Sequence, residues 1–132
     1  MKKRIILIIS ILFYAAMAVL SLTARKIHNA SLPQVEVMEL KSDIFYNEDG
    51  STSFGTSFPK ELYNDGVVYR VVAEMINKEI RYIARLAQNI EFGKENFTCY
   101  EVTDGLFYSD KIITSGLEGI TDGCEVYIKE EN

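Results

Sequence analysis

Residues 5–24 run for twenty residues without a charge, bounded by Arg4 and Arg25. Wound as a helix at about 1.5 Å per residue, that stretch is about 30 Å long, the thickness of a bilayer's hydrocarbon core. No other feature of the chain restricts its folding as strongly, because the rest must be either tied to a membrane or led across one. Ile5, Leu12, Ala16, Leu20 and Ala24 mark the span from end to end, and residues 1–26, with their basic flanks, are the expected membrane anchor. Lys2, Lys3, Arg4 and the terminal amine outweigh Arg25 and Lys26. The positive-inside bias therefore predicts a cytoplasmic amino terminus, with the remainder of this single-pass cell-membrane protein outside the cytoplasm.

A cleaved signal peptide is the competing expectation, since Ala16-Met17-Ala18 has the small-x-small form that signal peptidase accepts after an apolar stretch. Val19, Leu20 and Leu22 carry the apolar run past that site, where a cleaved leader would turn polar, and this favours an anchor that is retained. Both alternatives export residues 27–132.

Charge separates the two parts. Residues 1–26 hold five Lys/Arg and no acid, whereas residues 27–132 hold nine Lys/Arg against nineteen Asp/Glu. So acidic a remainder is repelled by phosphate backbones, and no nucleic-acid partner is expected. With 132 residues, the chain has room for one small exported domain and none for separate cofactor and substrate domains. No cofactor is expected.

Residues 27–34 read as a tether, and residues 35–132 as an extracytoplasmic β-domain. Val35, Val37 and Glu39 alternate with Glu36, Met38 and Leu40, as in a short strand. Asn64-Asp65-Gly66 is a turn signal, and residues 67–73 are rich in β-branched side chains. Residues 67–90 are ambiguous, because Val72, Ile76, Ile80, Ile83, Ala87 and Ile90 also fall at helical spacing, and propensity alone favours a helix there. Residues 97–102, 111–114 and 125–129 are short extended runs set apart by Gly105, Gly116, Gly119 and Gly123. The expected fold class is mainly β: one transmembrane helix, then a small β-barrel or β-roll of about six short strands.

Chemistry is sparse. Glu48, Asp49 and Gly50 invite a calcium loop, but its first and last ligand positions would be Phe45 and Thr56, so a hairpin turn is the better assignment. Ser57-Phe58-Pro59-Lys60 has the spacing of a serine acylation site, which needs a helical turn that Pro59 disfavours. His28 is the sole histidine, so a multi-histidine metal site is excluded and a triad would have to work beside the membrane. No catalytic, cofactor-binding or metal-binding residues are expected, and the chain is not read as an enzyme. Cys99 and Cys124 are the one candidate disulfide, whose loop of about 25 residues would add about 3 kcal/mol if the geometry allowed, although two separate thiols fit equally well. Asn29-Ala30-Ser31 and Asn96-Phe97-Thr98 match the glycosylation triplet. Tyr69, Tyr82, Phe92, Phe97, Tyr100, Phe107, Tyr108 and Tyr127 alternate with polar neighbours and are expected to be core.

The carboxyl half also resembles a known family. Val102-Thr103-Asp104-Gly105-Leu106, then Ser109-Asp110-Lys111-Ile112-Ile113 and Thr114-Ser115-Gly116, then Thr121-Asp122-Gly123-Cys124-Glu125-Val126, resemble the ending of periplasmic adaptors, the HlyD-type membrane fusion proteins. Asp104 stands where the family has Ser, and Ser109 where it has Gly. Upstream, Pro59-Lys60 and Asp65-Gly66-Val67-Val68-Tyr69 resemble the junction and first strand of the family's membrane-proximal domain, and Leu32-Pro33-Gln34-Val35 its exit from the membrane. The motif residues are thus Pro59, Lys60, Gly105, Leu106, Asp110, Gly116 and Gly123, in a structural role.

The resemblance implies a membrane-proximal domain built from both chain ends, and it tips residues 67–90 towards two strands about an Asn77-Lys78 turn. Full-length adaptors insert a strand barrel, a lipoyl-like domain and a helical hairpin between those ends, and residues 42–58 leave no room for them. What carries over is a non-catalytic accessory subunit of a transport or efflux system, contacting an inner-membrane transporter of the resistance-nodulation or ABC type. A homo-oligomer is compatible with this. The alternative is a membrane-tethered sensor or ligand-binding domain.

Overall fold

The computed structural model describes residues 1–63 and 66–130, so the first two residues of the Asn64-Asp65-Gly66 turn, and the Asp65 of the resemblance, lie outside the described residues. The chain divides into two compact units, Met1–Leu32 and Pro33–Asn132. The first is a single helix, α1 (Lys2–Ser31), in which no residue is buried. Nothing between Arg25 and Ser31 stops a helix, and Pro33 is the first residue that lacks an amide proton. α1 therefore runs five residues past the expected end of the anchor. Residues 27–31 of the expected tether are helical, leaving Leu32, extended as a residue before proline tends to be, and Pro33 as the connection. Thr23 returns its hydroxyl to the carbonyls of Val19 (2.9 Å) and Leu20 (3.0 Å), which spares an apolar environment a loose donor.

The second unit is a β-domain with nine strands among the described residues, more than the six or so expected: β1 (Gln34–Glu39), β2 (Ser42–Tyr46), β3 (Thr52–Pro59), β4 (Tyr69–Ile76), β5 (Glu79–Leu86), β6 (Glu91–Glu95), β7 (Cys99–Asp104), β8 (Lys111–Ser115) and β9 (Tyr127–Ile128). One sheet has the order β5-β4-β8-β1-β9 and the other β2-β3-β7-β6. In the first, β1 lies antiparallel to β8 and parallel to β9. The carboxyl segment divides its hydrogen bonds: Val126 donates to Tyr82 and Ala84 to Cys124, both at 2.9 Å, while Tyr127 donates to Pro33 and Lys129 to Val35, again at 2.9 Å. By reaching β5 on one side and β1 on the other, it nearly closes the sheet into a barrel.

Residues 67–90 form strands, not the helix that propensity favours. Asn77 (φ 52°) and Lys78 (φ 66°) take the paired left-handed conformations of a two-residue hairpin turn, and all eight residues of β4 pair with β5. Adjacent residues of β8 face opposite ways. Ile112 joins Leu40, Phe58, Val68, Ala87, Val102 and Leu106 in one core, while Ile113 joins Val35, Ala84, Ile120 and Val126 in another. Strand alternation thus makes β8 a wall between the barrel interior and the layer beneath the second sheet.

The second sheet curls until its edges meet. Asn96 Nδ2 on the β6–β7 loop donates to Asp43 Oδ2 (3.0 Å) and to the Ile44 carbonyl (3.2 Å), and Lys94 Nζ reaches Ser53 Oγ (3.1 Å) and Asn47 Oδ1. Residues 47–51 form the expected hairpin turn. Asn47 donates to the Ser51 carbonyl at 2.8 Å, and Asp49 accepts from the Ser51 amide (2.9 Å) and hydroxyl (2.6 Å).

Candidate interaction surfaces

The motif residues sit at junctions of the fold. Pro59 ends β3 opposite Cys99, and Lys60 opens a short 3-10 helix, Lys60–Leu62, with its amine 2.8 Å from Glu95 and 5.2 Å from the centre of the Tyr100 ring. Leu106 is buried in the core that it shares with Leu40, Phe58 and Ile112. Asp110 accepts from the Phe107 amide at 2.9 Å and faces Arg70 at 3.6 Å, tying the β7–β8 loop to β4. Gly105, Gly116 and Gly123 all have positive φ, and a Cβ on Gly116 would lie 2.3 Å from the Gln34 carbonyl oxygen. Ser109, where the family has Gly, also has positive φ, at 70°. The anchor residues Ile5, Leu12, Ala16, Leu20 and Ala24 all lie on α1, exposed.

Several expected features are not brought together. Cys99 and Cys124 are free thiols: Cys99 pairs with Pro59 in the second sheet, and Cys124 packs against the barrel core. Cys99 lies on β7 and Cys124 on the turn before β9, and the structure holds them as two separate thiols. Ser57 is buried and donates to the Lys41 carbonyl at 2.8 Å, while Lys60 turns to Glu95, so the acylation spacing leaves no serine–lysine contact. Asn96 of the glycosylation triplet has its amide engaged by Asp43 and Ile44.

The aromatic residues divide. Phe92 and Tyr100 stack 4.9 Å apart and join Phe58 and Tyr63 in one cluster. By contrast, Tyr82, Phe97, Phe107, Tyr108 and Tyr127, expected in the core, are exposed. Alternation with polar neighbours marks a strand face or a loop tip without saying which side is covered.

Among the described residues, the β4–β5 and β2–β3 hairpins each present an exposed apolar face. β4 pairs with β8 at Arg70 and Val71, and β5 meets the carboxyl segment from Arg81, which faces Glu125 at 3.2 Å, to Leu86, whose amide donates to Asp122 at 2.9 Å. Beyond those levels the β4–β5 hairpin is a two-stranded arm. On one side it carries the cross-strand pairs Ala73–Tyr82 and Met75–Ile80, with Met75 and Ile80 exposed by 76% and 67%. Clefts of about 200 and 270 Å³ flank its base, both lined by Tyr82 and Lys111. Glu74 takes two hydrogen bonds from Arg85, at 2.6 and 3.1 Å, and holds the guanidinium above its usual pKa. The second face is the outer side of the β2–β3 hairpin, where Ile44 lies opposite Phe54 and Tyr46 opposite Thr52. The Asp43 carboxyl, on the side of β2 that it shares with the buried Phe45, is held below the usual carboxylate range by the Ile44 amide and then Asn96, and that of Asp49 by Ser51.

The described residues contain no group of His, Cys, Asp and Glu that could hold a metal. Fold and surfaces together define a class: a mainly β, barrel-like domain preceded by a helix long and apolar enough to cross a membrane. No protein-family model, no curated protein and no solved structure matches the chain.

Proposed function

We propose that this is a single-pass, non-catalytic accessory subunit of a transport or efflux system, its β-domain held outside the cytoplasm against an inner-membrane transporter. The observation that carries the reading is the parallel pairing of β1, which follows the anchor, with β9, near the carboxyl end. Both ends of the β-domain thereby meet beside the membrane connection, the arrangement implied by the adaptor resemblance. Structural roles for Pro59, Gly105, Asp110, Gly116 and Gly123 at strand junctions are in keeping with it. α1 supports it as well, because an apolar helix with every side chain exposed needs a bilayer or a neighbouring helix to cover it. Ala15, Ala16 and Ala18 offer the small side chains that let membrane helices approach closely. The module adds no chemistry, and energy coupling stays with the transporter.

Crosslinking in intact cells, followed by purification of the tagged full chain from membranes, tests this reading. A transporter with many membrane spans is expected to copurify. Recovery of only soluble ligands or cell-wall material would overturn the reading in favour of a tethered sensor.

A further inference from the structure

Four hydroxyl side chains lie inside the uncharged run of α1: Ser10, Tyr14, Ser21 and Thr23. At about 100° per residue, Ser10 and Ser21 fall within about 40° of Tyr14 around the helix, whereas Thr23 lies on the opposite side. Thr23 needs no neighbour, because its hydroxyl already bonds the Val19 and Leu20 carbonyls. Ser10, Tyr14 and Ser21 make no hydrogen bond to any described residue. A serine hydroxyl can still turn back onto its own helix. That of Tyr14 cannot, because the ring holds it a full side-chain length from the backbone. Nor can it reach water: Tyr14 is the tenth of the twenty uncharged residues, so in a bilayer about 15 Å of hydrocarbon lies on either side of it, much more than a phenol spans. An unmade hydrogen bond is costly there, and Tyr14 is exposed by 74% with its hydroxyl aimed away from its own helix.

We propose that two copies of the chain pair through this face of α1, parallel and in register, with the Tyr14 hydroxyls bonded within the pair. Whatever covers the face must offer hydrogen-bonding groups at the depths of Ser10, Tyr14 and Ser21. A second copy does so by construction: all copies insert the same way round, and a hydroxyl both donates and accepts, so each depth supplies its own partner across a two-fold axis. The spacing agrees. Leu7, Ser10, Tyr14, Met17 and Ser21 follow one another by three and four residues in turn, the repeat that a left-handed helix pair turns inwards. Tyr14 leans towards the amino end of its helix, which brings its hydroxyl towards the level of Ser10 on the other copy. The opposite face, with Leu12, Ala16 and Thr23, stays open to lipid or to another protein. The pairing rests on α1 crossing a bilayer and does not depend on a transporter.

The test uses the full chain in its membrane, carrying Cys99→Ser and Cys124→Ser so that only an introduced thiol reacts. Oxidation is expected to link two copies through Met17→Cys, on the paired face, and to leave Leu12→Cys, on the open face, unlinked. Energy transfer between labelled copies of the otherwise native chain in vesicles supplies a second reading. There Tyr14→Phe, which removes only the hydroxyl, is expected to weaken pairing about threefold or more, and Ser10→Ala and Ser21→Ala to weaken it further. Equal linking from both faces, linking from neither, or a Met17→Cys product formed only with a foreign protein would overturn the proposal. So would a Tyr14→Phe chain that pairs as the wild type does. Alkaline carbonate extraction tests the anchor separately. A chain released by carbonate would overturn anchor and pair together, whereas a retained chain that does not pair would overturn the pair alone.

Discussion

The two sheets of the β-domain are held by different means. The barrel-like sheet depends on backbone approach: Gly116 lets β8 pass so close to Gln34 that a Cβ has no room, and the carboxyl segment joins β5 to β1 through main-chain bonds. The second sheet depends on side chains, with Phe58, Tyr63, Phe92 and Tyr100 packed on one side and Asn96 and Lys94 spanning its edges on the other. A fold held by main-chain approach advertises itself through glycines at fixed spacing. One held by side-chain contacts across irregular strands does not.

Phe58→Ala should show the largest effect. It empties a fully buried site in the core that joins the sheets, and a loss of about 3–5 kcal/mol is expected from urea denaturation. Gly116→Ala should follow, at about 2–4 kcal/mol, through left-handed strain and the collision with Gln34. Hydrogen exchange sharpens the contrast. Gly116→Ala should deprotect β1 and β8 first, whereas Phe58→Ala should deprotect β3 and β7 first; identical patterns would mean that the sheets are not held separately.

The difference explains what could be read in advance. The apolar run of residues 5–24 and the Gly-punctuated strands after residue 97 identified α1, β7 and β8, and Asn77-Lys78 marked the turn between β4 and β5. The competing helical spacing of Val72, Ile76, Ile80 and Ile83 arose because the arm carries apolar residues on both faces, Val72 opposite Ile83 and Met75 opposite Ile80. β6 escaped notice because Glu91-Phe92-Gly93-Lys94-Glu95 is polar and irregular, its pairing with β7 shifting register twice. α1 continues to Ser31 because charge at Arg25 and Lys26 ends a membrane span without ending a helix. The uncovered faces of the two hairpins had no signal at all, since a buried Phe58 and an exposed Phe54 have similar surroundings in the sequence.

A smaller effect is expected at Ser109, whose left-handed conformation strains any residue with a Cβ. Ser109→Gly should raise stability by about 0.5–1 kcal/mol, the relief of strain exceeding the added chain entropy of glycine. A loss of stability would mean that the turn before β8 is held by the serine side chain instead. The smallest effect concerns acid. Asp43 and Asp49 are held below their ordinary value of 3.8, so the stability they contribute is complete above that value and is lost as pH falls through their lowered pKa values. Amide shifts of Ile44 and Ser51 should move together below about pH 4. The barrel residues Ala84 and Val126 should stay in place over the same range.

The account rests on α1 and the β-domain serving a neighbour in the membrane. A photoreactive residue at Ala16, activated in intact cells and followed by mass spectrometry of the adduct, tests this most directly. The expected product is a covalent adduct with a transporter of many spans. Adducts confined to lipid, or to soluble proteins, would contradict the account.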